Sequence, residues 1–182
     1  MEEAPAEEGC VTYAADGTDE IRFVSDPLEE DLVLAGYSMS DMFVSSTSSD
    51  MKVMTSLYAL DEEGDRVPYI LDLNPAIPIS KGGLKISHRK EDEAKSTIYR
   101  PFHTHTKEDY MPLMPGEVVE AKVEMVPCTA LIRKGWRIEF VVQANNPFSE
   151  LTDLDDDYSE GASNSMYTGC SRPSYLQLPI IG

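Results

Sequence analysis

Strict alternation of apolar and charged residues over residues 119–125 is the sequence feature that most limits how this chain can fold. Every odd position is apolar and every even position is charged, in the order Val-Glu-Ala-Lys-Val-Glu-Met. Successive side chains of a strand point to opposite faces, so this pattern predicts an antiparallel strand with one buried and one wet face. Residues 136–143 alternate less strictly, since Val141 is apolar, and there we expect the inward-facing side chains to be Trp136, Ile138, Phe140 and Val142.

Further strand candidates show the alternation more weakly, while helical periodicity is weak nearly everywhere. They are residues 20–25, 32–35, 37–45, 53–59, 84–87 and 175–181. The sequence Asp-Glu-Glu-Gly at residues 61–64 predicts a turn in which Gly64 adopts a positive φ. Seven or eight short strands without a long helix predict an all-β fold, a β-sandwich with long irregular loops and little helix. This pattern leaves jelly-roll and immunoglobulin-like topologies equally open.

Two long irregular stretches interrupt the strands. Residues 66–115 are rich in proline and contain eight of the fifteen basic residues, seven of them from Lys81 to Lys107. Residues 148–173 contain an acidic run followed by a stretch rich in Gly, Ser and Asn. Loops of this length in a compact domain are usually functional or cover a neighbouring surface.

The net charge of the chain excludes several classes of binding partner. The 182 residues include 33 Asp and Glu against 15 Lys and Arg, a formal net charge of −18. Phosphate backbones and anionic lipids repel such a chain, so we expect neither a nucleic-acid nor a membrane-surface partner. The length favours a single domain over residues 20–182. The acidic segment before it, residues 1–19, is expected to be either poorly structured or an edge extension.

Cysteine usage and the N-terminus indicate the compartment. Cys10, Cys128 and Cys170 are far apart and odd in number, which favours reduced thiols over a secreted disulfide scaffold. The first nine residues carry four glutamates and no basic residue, unlike a signal peptide. No apolar stretch approaches the roughly 20 residues that a membrane helix needs. We therefore expect a soluble, cytoplasmic protein.

Three short motifs suggest chemistry, and each has a simpler interpretation. Gly36-Tyr37-Ser38-Met39-Ser40 nearly matches the Gly-x-Ser-x-Gly nucleophile elbow. The last glycine is missing, however, and the following residues predict a strand where the elbow needs a helix. Ser38 is therefore expected to be an ordinary strand residue, and a self-contained hydrolase using Ser38 with a histidine is the least favoured function.

His103 and His105 lie on the same side of an extended segment and could ligate zinc together with Glu108 or Asp109. The segment is basic and broken by proline, so a loop that docks on another surface is the preferred interpretation. The acidic residues 153–157 suit calcium, but the spacing of an EF-hand is absent, and a solvated loop is preferred. We predict no cofactor.

Several segments, read in order, resemble one family. Residues 21–28 and 31–36 resemble its motif of an apolar strand, Ser-x-Pro-Leu and Asp-Leu-x-Leu-x-Gly, and residues 43–64 its Val-Ser-Ser strand and acidic turn. Residues 83–89 resemble Gly-x-Leu-x-x-Ser-x-Arg, and residues 112–117 match Pro-Leu-x-Pro-Gly-Glu. Residues 133–138 and 172–179 resemble the closing motifs, with Trp136 where histidine is commoner. The chain thus resembles the C-terminal, non-catalytic domain of the X-prolyl dipeptidyl-peptidase and cocaine-esterase-like serine hydrolases.

The resemblance implies a jelly-roll β-sandwich of the galactose-binding-like type, packed beside an α/β-hydrolase domain. It implies no catalytic residue here, because the family's Ser-Asp-His triad lies in the hydrolase domain. We expect an accessory domain that helps to shape the substrate site or an oligomer, with the hydrolase domain in cis or in trans as its partner and a homo-oligomer as a further option. The residues expected to dock are Arg100, Phe102, His103 and His105.

The alternative function is a free-standing carbohydrate-binding module, because this type of sandwich often has that role. Such a module needs loop aromatic side chains on which a sugar can stack, with nearby hydrogen-bonding groups. The candidates are Tyr99, Tyr110, Tyr158 and Tyr167.

Overall fold

A computed structural model describes residues 6–17, 19–69, 74–145 and 160–181. These residues form twelve strands and one short 3-10 helix, Ile86–His88. The strands are β1 Cys10–Ala14, β2 Glu20–Val24, β3 Leu32–Gly36, β4 Met39–Ser46, β5 Lys52–Leu60, β6 Ser80–Lys85, β7 Val119–Glu124, β8 Cys128–Ile132, β9 Arg137–Gln143, β10 Ser163–Tyr167, β11 Tyr175–Gln177 and β12 Ile180–Ile181. In the described part of the chain, no helix is long and apolar enough to cross a membrane.

The strands form three antiparallel sheets. In the five-stranded sheet, β4 pairs with β7 on one side and with both β10 and β11 on the other, and β1 pairs with β10 at the edge. The four-stranded sheet has the order β2-β9-β5-β6, and the three-stranded sheet the order β12-β3-β8. One hydrophobic core collects side chains from all three sheets. This arrangement confirms the prediction of an all-β sandwich with little helix.

The strongest sequence pattern also places its side chains as predicted. Val119, Ala121 and Val123 of β7 are buried in the core. The alternate residues lie on the other face of the sheet, where Lys122 and Glu124 form ion pairs with the segment between β6 and β7. The turn after β5 also forms as predicted, with Gly64 at φ 91° and the Asp61 carboxylate accepting hydrogen bonds from the backbone N–H of Glu63 and Asp65.

Strand β9 is more deeply buried than its alternation predicts. Phe140 and Val142 lie in the core, with Trp136 and Ile138 packed against it, so the predicted inward face is correct. The opposite face is covered as well, because Glu139 is only 3% exposed. Two arginines compensate this buried carboxylate: the Nε of Arg66 lies 2.6 Å from Oε2, and the Nη1 of Arg22 lies 3.4 Å from Oε1.

Three strands were not predicted from sequence: β1, β8 and β10. Strand β10 reads Ser-Asn-Ser-Met-Tyr, a composition with little intrinsic preference for strands. It exists because it fills the space between β1 and β4, with Ser165 paired to Ser45 of β4. Only Asn164 and Met166 of this strand are buried.

Candidate functional site

The segment between β6 and β7, residues 86–118, is called the β6–β7 loop below and carries all the residues predicted to dock. Part of it folds back on itself as an irregular hairpin. The backbone N–H of Asp92 donates to the carbonyl of Phe102 at 2.8 Å, and that of Thr104 donates to Lys90 at 3.0 Å. Thr97 and Arg100 exchange two backbone hydrogen bonds at the tip. These bonds define the position of each side chain along the hairpin.

Two ion pairs hold the hairpin against the outer face of β7. The Nζ of Lys122 lies 3.2 Å from Oε1 of Glu91, and the Nε of Arg100 lies 2.7 Å from Oε1 of Glu124. The guanidinium of Arg100 also lies 4.9 Å from the centroid of the Tyr37 ring. Arg100 is therefore directed towards its own sheet, so its role is to hold the hairpin in place.

Further hydrogen bonds fix both ends of the loop. Arg89 donates through Nη1 to the carbonyls of Ile86 and Met111, and the backbone N–H of Met111 donates to Ser87. The buried side chain of Leu113 joins the core. The loop thus leaves the core at one end and returns to it at the other.

The outer side of the loop exposes apolar side chains. Of the fourteen large apolar side chains that are exposed among the described residues, six lie within seventeen consecutive positions of this loop. They are Ile98, Tyr99, Phe102, Tyr110, Met111 and Met114. Ile98, at the hairpin tip, is 81% exposed. A concentration of this kind is typical of a surface that contacts another protein.

The structure brings all three histidines of the chain together on this loop. The ring centroids of His88 and His105 are 5.5 Å apart, and those of His103 and His105 are 5.7 Å apart. Tyr110 presents its ring edge-on to His88 at 5.9 Å. Sequence analysis identified His103 and His105 but missed the place of His88, because it lies fifteen positions before His103 in the chain.

The three imidazoles differ in their surroundings. His103 is half-buried, and burial lowers its pKa, with the neighbouring His105 lowering it further. Its Nε2 is buried and has no hydrogen-bond partner among the described residues. His105 is exposed and has φ 51°, a left-handed conformation that no other non-glycine residue of the described chain adopts.

Charged and polar groups beneath the hairpin lie on three adjacent strands. Asp41 of β4 pairs in register with Lys122 of β7 and with Tyr175 of β11, whose hydroxyl donates to the Asp41 carboxylate at 2.9 Å. Burial raises the pKa of Asp41, although the hydrogen bond from Tyr175 opposes the shift. Burial, together with that carboxylate, raises the pKa of Tyr175 to about 12. Asp41 is buried, whereas Tyr175 is 52% exposed at the edge of this patch, which is structural in character.

The other candidates from sequence lie elsewhere. Ser38 is completely buried, and no described residue accepts or donates a hydrogen bond at its Oγ, so it cannot meet a substrate in solution. Trp136 packs against the core, and Tyr167 is half-buried with its hydroxyl 3.1 Å from Ser45 Oγ. The acidic residues 153–157 and Tyr158 lie outside the described residues. Among the residues that are described, no group of three or more His, Cys, Asp or Glu side chains could hold a metal ion.

Comparison with known proteins gives a consistent result. The sequence model described as the X-Pro dipeptidyl-peptidase C-terminal non-catalytic domain matches residues 3–177. Two proteins named as serine esterases, from Mycobacterium bovis and Mycobacterium tuberculosis, are each 30% identical to the chain over 124 residues. The matched region is 67% of this chain but only 18% of either esterase.

Solved structures show the same fold within longer chains. A CocE/NonD family hydrolase from Staphylococcus aureus superposes with a TM-score of 0.85 at 24% identity, over 99% of this chain and 34% of the hydrolase. An aminopeptidase from a marine sediment Thaumarchaeota archaeon superposes with a TM-score of 0.61 at 18% identity, over 92% of this chain and 27% of the aminopeptidase. The match of the family model over nearly the whole chain settles its classification: this protein belongs to the family of X-Pro dipeptidyl-peptidase C-terminal non-catalytic domains.

Proposed function

We propose that the chain is the accessory domain of a serine hydrolase and that it docks against the α/β-hydrolase domain through the outer side of the β6–β7 loop. In this position it helps to shape the mouth of the substrate site or an oligomer contact. The observation that carries the proposal is the concentration of exposed apolar side chains on that loop, from Ile98 to Met114. Burying them against a partner would remove their contact with water, which is the main favourable term in association.

The residues predicted to dock have two different roles in this proposal. Arg100 and the half-buried His103 support the hairpin from beneath, because Arg100 is directed towards Glu124 and Tyr37. Phe102 and His105 are exposed and face the proposed partner. The Nζ of Lys95 lies 4.7 Å from the centroid of the Phe102 ring, which adds a positive charge beside this aromatic side chain.

The charge of the β6–β7 loop supports docking through the same surface. Residues 81–107 contain seven basic and three acidic residues, whereas the whole chain carries a net charge of −18. Two of those basic residues, Lys81 and Lys85, belong to β6, and the β6–β7 loop itself contains five basic and six acidic residues, so it is close to neutral within a strongly acidic chain. A partner face of either sign therefore meets little repulsion from this loop.

The activity of the parent protein is proposed as dipeptidyl-peptidase or acyl-esterase hydrolysis, performed entirely by the hydrolase domain. Relatives named as serine esterases support the chemical class. The described cysteines are free thiols, which agrees with the cytoplasmic location that we propose. Whether the hydrolase domain is joined in cis or recruited in trans is decided by the first experiment.

The first experiment measures the mass of the native gene product with an antibody raised against this chain. A band clearly heavier than 20.2 kDa means that the hydrolase domain is present in cis. A band at 20.2 kDa means a free-standing module, for which the antibody should co-precipitate a separate hydrolase. A 20.2 kDa band with no associated hydrolase would contradict the proposal, and a glycan titration would then test the carbohydrate-binding alternative.

The second experiment tests the docking surface itself, in the native product. Ile98→Asp and Phe102→Asp place a charge in the proposed interface, while Val11→Asp places one at a 39% exposed apolar residue on β1, which β10 and β4 separate from β7 and the loop that packs on it. We expect the two loop variants to weaken domain association or raise KM for a p-nitrophenyl acyl ester. The Val11 variant should behave as the parent does. Equal behaviour of all three variants and the parent would refute docking through this loop.

A further inference from the structure

We propose that the cluster of His88, His103 and His105 makes docking of the β6–β7 loop dependent on pH, so that the loop docks with neutral imidazoles and is released when they are protonated. This inference rests on the proposed function, because it concerns the same surface. Histidine is the side chain whose charge ordinarily changes between pH 5 and 8. All three histidines of the chain lie on this loop, and neighbouring ring centroids in the cluster are 5.5 and 5.7 Å apart. Protonation therefore brings like charges together within one small cluster.

The contact between His88 and His105 needs at least one neutral ring. Their Nδ1 atoms are 3.5 Å apart, at the long end of hydrogen-bond distances. A neutral imidazole has one donor and one acceptor nitrogen, whereas a protonated imidazole has two donors and no acceptor. When both rings are protonated, neither Nδ1 can accept a hydrogen bond, and two positive charges face each other at this distance. Double protonation therefore opposes the contact.

His103 opposes protonation for a different reason, which is its half-buried position. Burial lowers the pKa of His103, and the neighbouring His105 lowers it further. A folded-state pKa below the ordinary value of about 6.5 means that uptake of a proton favours the open loop. The folded loop is therefore favoured above about pH 6.5 and loses stability as the pH falls below this value.

Carboxylates near the cluster compensate its positive charge only in part. Glu91 and Glu124 oppose the lowering of the His103 pKa. Each of them also binds a cation, since Glu91 pairs with Lys122 and Glu124 with Arg100. The charged and titratable side chains on the elements packed around the cluster are Lys90, Glu91, Arg100, Asp109 and Tyr110 on the loop, Lys122 and Glu124 on β7, Asp41 on β4 and Tyr175 on β11.

The cluster lies within the proposed docking surface. Tyr110 presents its ring edge to His88, and the backbone N–H of Met111 donates to the carbonyl of Ser87, the residue before His88. Both Tyr110 and Met111 belong to the exposed apolar set of the loop, and His105 is exposed beside them. Burying a charged imidazole against a partner costs free energy that burying a neutral one does not. Protonation therefore opposes docking both by disturbing the loop and by charging its surface.

The test measures hydrogen exchange in the native product at pH 7.5 and 5.5, as protection factors of the backbone amides over residues 98–114. Protection factors correct for the intrinsic effect of pH on exchange. For each proton that docking excludes from a histidine of ordinary pKa, about 6.5, docking weakens about tenfold between the two pH values. We therefore expect protection in the parent to fall by at least about tenfold.

The variant His88→Gln/His103→Gln replaces two of the imidazoles by amides that do not titrate. We expect its protection factors at the two pH values to agree within about threefold. Asp41→Asn is the matched control, because burial raises the pKa of this nearby carboxyl and its titration could be confused with that of the histidines. The control variant should lose protection as the parent does.

Ile98→Asp separates failure of this inference from failure of the proposed function. If Ile98→Asp is protected at pH 7.5 as well as the parent is, docking through the loop is refuted and the inference falls with it. If Ile98→Asp loses protection at pH 7.5, docking through the loop holds. The pH inference alone is then overturned by equal protection of the parent at both pH values, by a double variant that loses protection as the parent does, or by a response that Asp41→Asn abolishes. Should the double variant fold poorly, each single histidine variant should still reduce the loss at least about threefold.

Discussion

Replacing Arg66 by methionine should destabilise the protein strongly, because it leaves the Glu139 carboxylate buried with one distant cation. Glu139 is 3% exposed, and its close partner is Arg66, whose Nε lies 2.6 Å from the Oε2 of Glu139. The other partner is Arg22, whose Nη1 lies 3.4 Å from the Oε1 of Glu139 and whose side chain is 55% exposed. The guanidinium of Arg66 also lies 3.7 Å from the centroid of the Tyr58 ring, an interaction lost in the variant. Methionine keeps most of the apolar stem, so packing changes little.

Removing one partner of a buried ion pair costs about 3–5 kcal/mol. Because Arg22 stays within reach of Glu139, we expect the lower end of this range, a loss of about 3 kcal/mol in the free energy of unfolding. For a chain of this size the loss corresponds to a fall in Tm of about 6–12 °C. Arg22→Met is the matched control, and since Arg22 is more than half exposed, its loss should cost at most about 1 kcal/mol.

The assay is urea unfolding of the parent, both single variants and the double variant Arg66→Met/Glu139→Gln. Neutralising the stranded carboxylate should recover at least about 1 kcal/mol of the loss caused by Arg66→Met alone. The reasoning would be refuted if Arg66→Met and Arg22→Met were equally stable, or if Glu139→Gln gave no recovery in the Arg66 variant. An unchanged m-value across the series would show that the differences in the free energy of unfolding do not come from changes in the denatured state.

Three further predictions test other parts of the structure. Gly82→Ala should lower the free energy of unfolding, measured in heat or urea, by about 1–3 kcal/mol, since an added Cβ would lie 2.2 Å from the carbonyl oxygen of Glu124. A variant as stable as the parent would contradict that close approach. The lowered pKa of His103 means that the unfolded chain takes up a proton more readily, so stability is lost as pH falls below about 6.5. His103→Gln should make the free energy of unfolding less dependent on pH between about 7 and 5, and an unchanged pH profile would count against this assignment. Ser38→Ala should be as stable as the parent or slightly more stable, because it removes a buried hydroxyl that has no hydrogen-bond partner among the described residues. A loss of esterase activity in the native product would contradict this and would indicate that Ser38 is a nucleophile.

The sequence by itself determined the class of fold and the family. Alternation along β7 and β9 reports which face is buried, because side chains of a strand alternate and the core accepts only the apolar set. The turn at residues 61–64 is similarly local, since a positive φ is available to glycine at little cost. Six short motifs in one order identified the same family that the family model matches over residues 3–177.

Only the tertiary structure decided which side chains meet. Strand β10 has too little apolar pattern to be predicted and forms because β1 and β4 leave a place for it. The outward-facing Glu139 becomes buried because neighbouring arginines cover it, which alternation along β9 cannot reveal. His88 and His105 are seventeen positions apart, and no local rule relates them. They face each other because the β6–β7 loop folds back onto its own start, a path set by contacts with β7 and the core.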